Sequence, residues 1–196
     1  MTSEQELQET ILDLLPTQGN WSEDGYLWLT DQSNQLLEYS DGYIEVLPTP
    51  TDRHQVILRL LAFVFYQYLQ PRGGTALFAP LRLRLRNGKY REPDLLALRD
   101  ARDPRREELY WTGADLVVEI VSADRPDRDL VTKRREYAEA GIPEYWIVNP
   151  LNETITVLVL DGSSYREHGV FARGAQAMSA LLPDFAIAVN VVFDAE

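Results

Sequence analysis

The 196-residue sequence predicts an α/β domain, a mixed central sheet flanked by helices with additional antiparallel hairpins, on three observations. Residues 116–148 read strand, helix, strand, the spacing of a parallel crossover. Polar turns elsewhere separate short apolar runs in the manner of hairpins. With 45% hydrophobic and 26% charged residues, the chain has enough apolar side chains for a sizeable core, and it shows no repeat or linker, so one domain over 1–196 is expected.

In chain order, Glu4 to Leu15 places Leu7, Ile11, Leu14 and Leu15 at helical spacing before Pro16 and Gly19, a short amphipathic helix. Leu36 to Glu38 and Tyr43 to Leu47 flank Ser40-Asp41-Gly42 as a hairpin. Thr49-Pro50 offers an N-cap and a first-turn proline for a core helix, His54 to Leu69, that stops at Pro71 and Gly73-Gly74. Leu81, Leu83 and Leu85 alternate with Arg82, Arg84 and Arg86 in a strand, Asn87-Gly88 turns the chain, and a second strand runs from Lys89 to Leu98. Leu116 to Val121 reads as a strand buried on both faces. A helix from Asp127 to Ala140 follows, closed by Gly141 and Pro143, then a strand from Tyr145 to Val148. Thr154 to Leu160 and Tyr165 to His168 suggest a last hairpin, and Phe185 to Phe193 closes the chain.

Charge divides unevenly. The net value is −12, yet residues 72–135 carry 15 basic against 11 acidic side chains, a net +4 set between acidic flanks. The whole-chain figure therefore does not exclude nucleic acid. Seventeen of the 19 basic residues are arginine, whose planar fork suits phosphate or carboxylate. The Arg82/Arg84/Arg86 face is either a solvated strand edge or a phosphate-contacting stripe. Zero cysteines exclude disulfides, thiolate zinc and a cysteine nucleophile, and the two histidines, His54 and His168, leave little for a histidine-rich metal site. His168 is expected on the surface. No apolar run reaches the ~20 residues of a membrane span and the acidic start is unlike a secretory signal, so a cytoplasmic protein without membrane contact is expected.

Three residues stand out chemically: Asp94 at the start of an apolar run, Glu119 inside a buried strand, and Lys133 on the next helix. Buried carboxylates are costly unless paired or bound to metal. Two on neighbouring strands would share a divalent cation, with Mg²⁺ or Mn²⁺ the choice for oxygen ligands; a buried arginine partner for Glu119 is the alternative. Helix geometry alone does not separate Lys133 from Arg134.

The string Glu92-Pro93-Asp94, the segment DLVVEIVS (Asp115 to Ser122), the helix with Lys133 and Tyr137, the segment AGIPEYWIVNP (Ala140 to Pro150), and the earlier DGYIEVLPTPTDRHQ (Asp41 to Gln55) together resemble the Uma-type endonuclease family. The resemblance runs from about Leu36 to Phe193. It implies the restriction-endonuclease-like PD-(D/E)XK fold, with Asp94 as the motif aspartate, Glu119 as the motif acid, and both as ligands of Mg²⁺. The usual lysine position, two after the acid, is Val121; the resemblance implies that Lys133 supplies the lysine instead. It also places His54 and Glu45 near the site, as orienting or structural residues, and Tyr137 as a site wall or, preferably, a packing residue.

The expectation is a metal-dependent nuclease acting on DNA, Asp94, Glu119 and Lys133 being catalytic, with Arg82, Arg84, Arg86, Lys89 and Arg91 on the phosphate backbone. A homodimer would suit cleavage of two strands. The alternative function is a binding or regulatory module that keeps the fold without catalysis.

Overall fold

The computed structural model describes residues 15–196, so the helix expected at Glu4 to Leu15 falls almost wholly outside the described residues. Helix α1 (Glu23–Gln32), to which the sequence reading assigned no element, is capped by Ser22 Oγ, which accepts the Gly25 amide at 3.0 Å. Strands β1 (Leu37–Ser40) and β2 (Tyr43–Val46) make the expected hairpin. Its two turn residues, Asp41 and Gly42, have φ of 49° and 91°, which matches the right-handed twist of paired strands. At Gly42 a Cβ would sit 2.5 Å from the Gly19 carbonyl oxygen, so glycine is required there.

The core helix α2 (Asp52–Leu69) is capped two residues later than expected. Thr51, not Thr49, accepts the His54 amide at 3.2 Å, leaving Pro50 before the cap and Asp52 in the first turn, where the helix dipole favours an acid.

Strand β3 (Thr75–Phe78) was not anticipated; β4 (Leu83–Arg86) was. The expected long strand at Lys89 to Leu98 is two, β5 (Lys89–Arg91) and β6 (Leu95–Leu98), in different sheets. Pro93 has no N–H to give a ladder, so pairing stops there. The chain then passes from a four-stranded sheet, ordered β2-β1-β5-β4, to a six-stranded one. The Glu92-Pro93-Asp94 motif sits at that transfer.

Strand β7 (Leu116–Ile120) is followed by a π-helical turn, Arg128–Lys133, that continues into helix α3 (Arg134–Glu139) and then β8 (Glu144–Asn149). β7 and β8 pair in parallel, as the crossover reading required. β9 (Thr154–Asp161) and β10 (Ser164–Phe171) form the last large hairpin. The large sheet is ordered β10-β9-β8-β7-β6-β3, antiparallel except at the crossover. A small pair, β11 (Gln176–Met178) and β12 (Ala186–Ala188), leads into helix α4 (Val189–Phe193).

Period-two alternation places the core on both faces of the large sheet. Leu116, Val118 and Ile120 face the side of α2, with Ile57, Leu61, Phe65 and Trp146. Val117 and Val121 face the opposite side, with Tyr137, Tyr145 and Ile142. A separate aromatic cluster, Tyr26, Tyr39 and Tyr90, packs α1 on the smaller sheet. Among the described residues, no helix is long and apolar enough to cross a membrane.

Candidate active site

The strand register brings the two nominated carboxylates together. β6 and β7 pair Leu95 with Val118 and Leu96 with Val117, so one step further sets Asp94 opposite Glu119. Alternation sends the Glu119 side chain to the face of Val117, away from α2 and toward the crossover helix. Asp94 stays at the mouth. Its carboxylate accepts the Ile120 amide at 2.7 Å and lies 3.1 Å from His54 Nε2, which the first turn of α2 presents. Burial works against a charge on His54, but the Asp94 carboxylate, with Asp129 beyond it, holds the imidazole pKa above its ordinary value.

Glu119 is enclosed. Lys133 Nζ lies 2.8 Å from its Oε1, and the Tyr137 hydroxyl donates to the same oxygen at 2.5 Å. Burial raises the Glu119 pKa, Asp129 and Asp94 add to the rise, and Lys133 opposes it. Lys133 is itself only 4% exposed along its side chain. Burial penalises the ammonium, yet Glu119, Glu38 and Asp129 together hold its pKa above the ordinary lysine value. The surrounding carboxylates thus favour the ammonium over the neutral amine.

The crossover distinguishes Lys133 from Arg134. In the π turn Asp129 and Lys133 point inward, 3.5 Å apart, while Arg134 lies beyond it toward the Tyr165 carbonyl. Single π turns recur where a helix must aim a functional side chain.

Three further residues, missed in the sequence, complete the arrangement. Glu38, in the middle of β1, is fully buried and touches Lys133 at 3.5 Å, Arg128 at 2.7 Å and Arg91 at 3.4 Å. Burial alone would raise its pKa; Lys133, Arg91 and Arg128 instead hold it at about 2. Asp129 is pushed upward by burial, with Lys133 opposing. Glu92, beside Glu38 and accepting the Leu37 amide at 3.2 Å, is raised to about 8 by burial and by the Glu38 charge. A carboxylate within an apolar strand was the usable signal for Glu38, as it was for Glu119. Asp129 is four residues before Lys133, a helical pairing distance.

Asp94, Glu119 and Lys133 line one cavity of about 60 Å³, with His54, Arg128 and Asp129. At ~10–15 Å³ per water that is room for a hydrated ion, too little for a base. The donor chemistry suits a hard cation: two carboxylates of Asp94 and Glu119 at one polar cavity and no thiolate. Among the described residues, no three Asp, Glu or His side chains are grouped closely enough to hold a metal by themselves. An ion there would rely on two carboxylates and complete its shell with water and phosphate oxygens, which is how Mg²⁺ is usually held.

Other expected residues are placed differently. Glu45 does not line the cavity; it pairs with Arg125 at 2.6 Å and lies 3.7 Å from Arg128 at the outer side of the cluster. Tyr137 does not line the cavity; its ring is packed edge-on against Tyr145 and its hydroxyl donates to Glu119 from behind. His168 is exposed on β10.

The residues of the basic stripe have partners within the protein. Arg91 is buried and forms a fork with Glu136 at 2.8 and 2.9 Å, and Lys89 donates to Glu136 at 2.9 Å. Arg82 donates to Thr30 at 2.6 Å and lies 3.5 Å from Asp31; Arg84 lies over the Tyr110 ring; Arg86 is clamped by Asp41 at 2.6 and 2.8 Å. All five are engaged by the protein's own side chains: the fold brings acids from β1, the β1–β2 turn, α1 and α3 onto four of them, and Tyr110 onto Arg84.

The model of the Uma2 family, described as "Putative restriction endonuclease", matches residues 23–190. Among curated proteins none matches. A crystal structure of "a putative nuclease belonging to DUF820" from Anabaena variabilis superposes with a TM-score of 0.68 at 20% identity, covering 86% of this chain and 97% of that one. The fold is thus the mixed α/β fold of that nuclease, as the sequence resemblance implied. With the family model spanning most of its length, the chain belongs to the Uma2 family.

Proposed function

We propose that the protein is a metal-dependent nuclease that hydrolyses phosphodiester bonds in DNA. The observation that carries this reading is the convergence of Asp94, Glu119 and Lys133, from three separate elements, on one small polar cavity. Asp94 and Glu119 would hold Mg²⁺ or Mn²⁺. When bound, the ion supplies Lewis-acid stabilisation of charge on the scissile phosphate.

The chain's own residues supply the rest. Lys133 keeps its proton and presents a fixed ammonium, so it orients a water through an N–H and stabilises negative charge that develops on phosphate oxygens. It does not remove a proton. His54 and the Ile120 amide hold the Asp94 carboxylate in place from two sides. Tyr137 fixes Glu119 through its hydroxyl, and Glu38 keeps Lys133 from swinging away.

The test is Mg²⁺-dependent cleavage of plasmid DNA. Asp94→Asn and Glu119→Gln should each abolish it. Nicking at wild-type rate by either variant refutes the assignment.

A further inference from the structure

We propose that a second groove, beside the catalytic cavity, binds an unpaired nucleobase next to the scissile phosphate, so that the preferred substrate is single-stranded or locally unpaired DNA. The proposal rests on the nuclease reading above and deepens it.

The groove has a volume of about 460 Å³ and shares a wall with the cavity, since Glu92 and Asp94 line both. Its remaining polar surface is of another kind. Asn34 and Gln35, on the α1–β1 loop, and Gln55, on the first turn of α2, line it with Thr30 and Ser33, and none of the three amide side chains hydrogen-bonds to another described residue. The Phe78 ring, 53% exposed at the end of β3, lies at the same groove. Arg82 also lines it, but its guanidinium is held by Thr30 and Asp31.

This set suits a neutral, planar, hydrogen-bonding ligand. Side-chain amides pair with base edges, adenine above all, and aromatic rings stack on bases of any sequence. A phosphate would instead need uncommitted cations, which the groove does not offer. In a perfect duplex the faces of the bases are stacked on one another, so a base can lie against the Phe78 ring only from an unpaired strand or after flipping. The engagement of Arg84, Arg86, Lys89 and Arg91 by Tyr110, Asp41 and Glu136 leaves fewer free cations for the phosphate backbone, so contacts to bases must carry more of the affinity.

The experiment compares cleavage by the full-length protein, with Mn²⁺, of one 20-nucleotide deoxyoligonucleotide as single strand, as perfect duplex and as a duplex with a central two-base bulge. The single strand and the bulge should be cut at least about tenfold faster than the perfect duplex. Phe78→Ala and Gln55→Ala, both at exposed positions, should raise KM for the single strand about tenfold without changing kcat. Binding of the single strand, read by fluorescence anisotropy in EDTA, should weaken by the same factor. Equal cleavage of strand and duplex, or unchanged KM and affinity in both folded variants, overturns the proposal. Phe78-dependent binding without cleavage by the wild-type protein would sustain the base groove and refute the nuclease reading. Absence of both binding and cleavage refutes both.

Discussion

On one wall of the cavity Asp94 is held by a backbone amide and an imidazole; on the other, Glu119 is held by a buried ammonium and a phenol. The Asp94 side chain is 15% exposed and that of Glu119 is 3% exposed. Asp94 could lose its charge while an amide in its place still accepted the Ile120 N–H. An amide in place of Glu119 would still accept the Tyr137 hydroxyl, but it would remove the carboxylate that lies against the enclosed Lys133 ammonium. Stability and function are therefore separable at Asp94 and joined at Glu119. The same two carboxylates that the chemistry treats as a pair are unequal members of the fold.

Substitutions at the two walls should expose this inequality. Lys133→Met leaves Glu119, Glu38 and Asp129 buried around an apolar side chain and should cost about 3–5 kcal/mol in urea unfolding at pH 7. Glu119→Gln should cost about 1–3 kcal/mol, since Lys133 retains Glu38 and Asp129. Asp94→Asn should cost under ~1 kcal/mol while abolishing cleavage just as fully. If Asp94→Asn unfolds as readily as Glu119→Gln, the two walls are energetically alike and the contrast fails.

Acid should attack the Lys133 wall first. Glu38 is held at about 2 against an ordinary 4.5, a folded-state pKa below the unfolded one. Its contribution is thus fully present above pH 4.5 and is lost as the pH falls toward 2, about 3 kcal/mol in all. Urea unfolding at several pH values in that window should show a steeper fall for the wild-type protein than for Glu38→Gln. Parallel curves would show that Glu38 is not what acid undoes.

Much of this was legible in the sequence, and what was not has a common physical cause. Glu119 was visible because an acid in an apolar strand breaks an obvious pattern, and Asp94 because it follows Pro93 at a strand start. The β7–β8 crossover followed from length and stop signals. Lys133 could not be separated from Arg134 because an ideal helix was assumed where a π turn occurs. The single strand expected from Lys89 to Leu98 kept its apolar pattern across Pro93, and only the sheet transfer reveals the break. Glu38 meets Lys133 from 95 residues away in the chain, reaching it from the smaller sheet. The charges of the arginine stripe are visible in sequence, but its partners, Asp41 and Glu136, are not, so a solvated edge and a phosphate-contacting face stay open there.

That stripe supplies the exposed counterpart to the buried cluster, and with it the smallest expected effect. Arg86 and Asp41 form a fork across two turns, both about half exposed, where solvent screens most of the attraction. Arg86→Ala should therefore cost under ~1 kcal/mol, against several for Lys133→Met, although both remove one cation from a carboxylate. It should also leave the salt dependence of DNA binding unchanged, because a guanidinium already bound to Asp41 releases no counterion from phosphate. Asp41→Asn makes the opposite change. It frees Arg86 at the surface, so single-stranded DNA should bind more tightly and the slope of log affinity against log salt should steepen by up to about 0.7. A fall in that slope with Arg86→Ala would instead mean that Arg86 exchanges Asp41 for phosphate, making the fork a latch on the DNA-binding face.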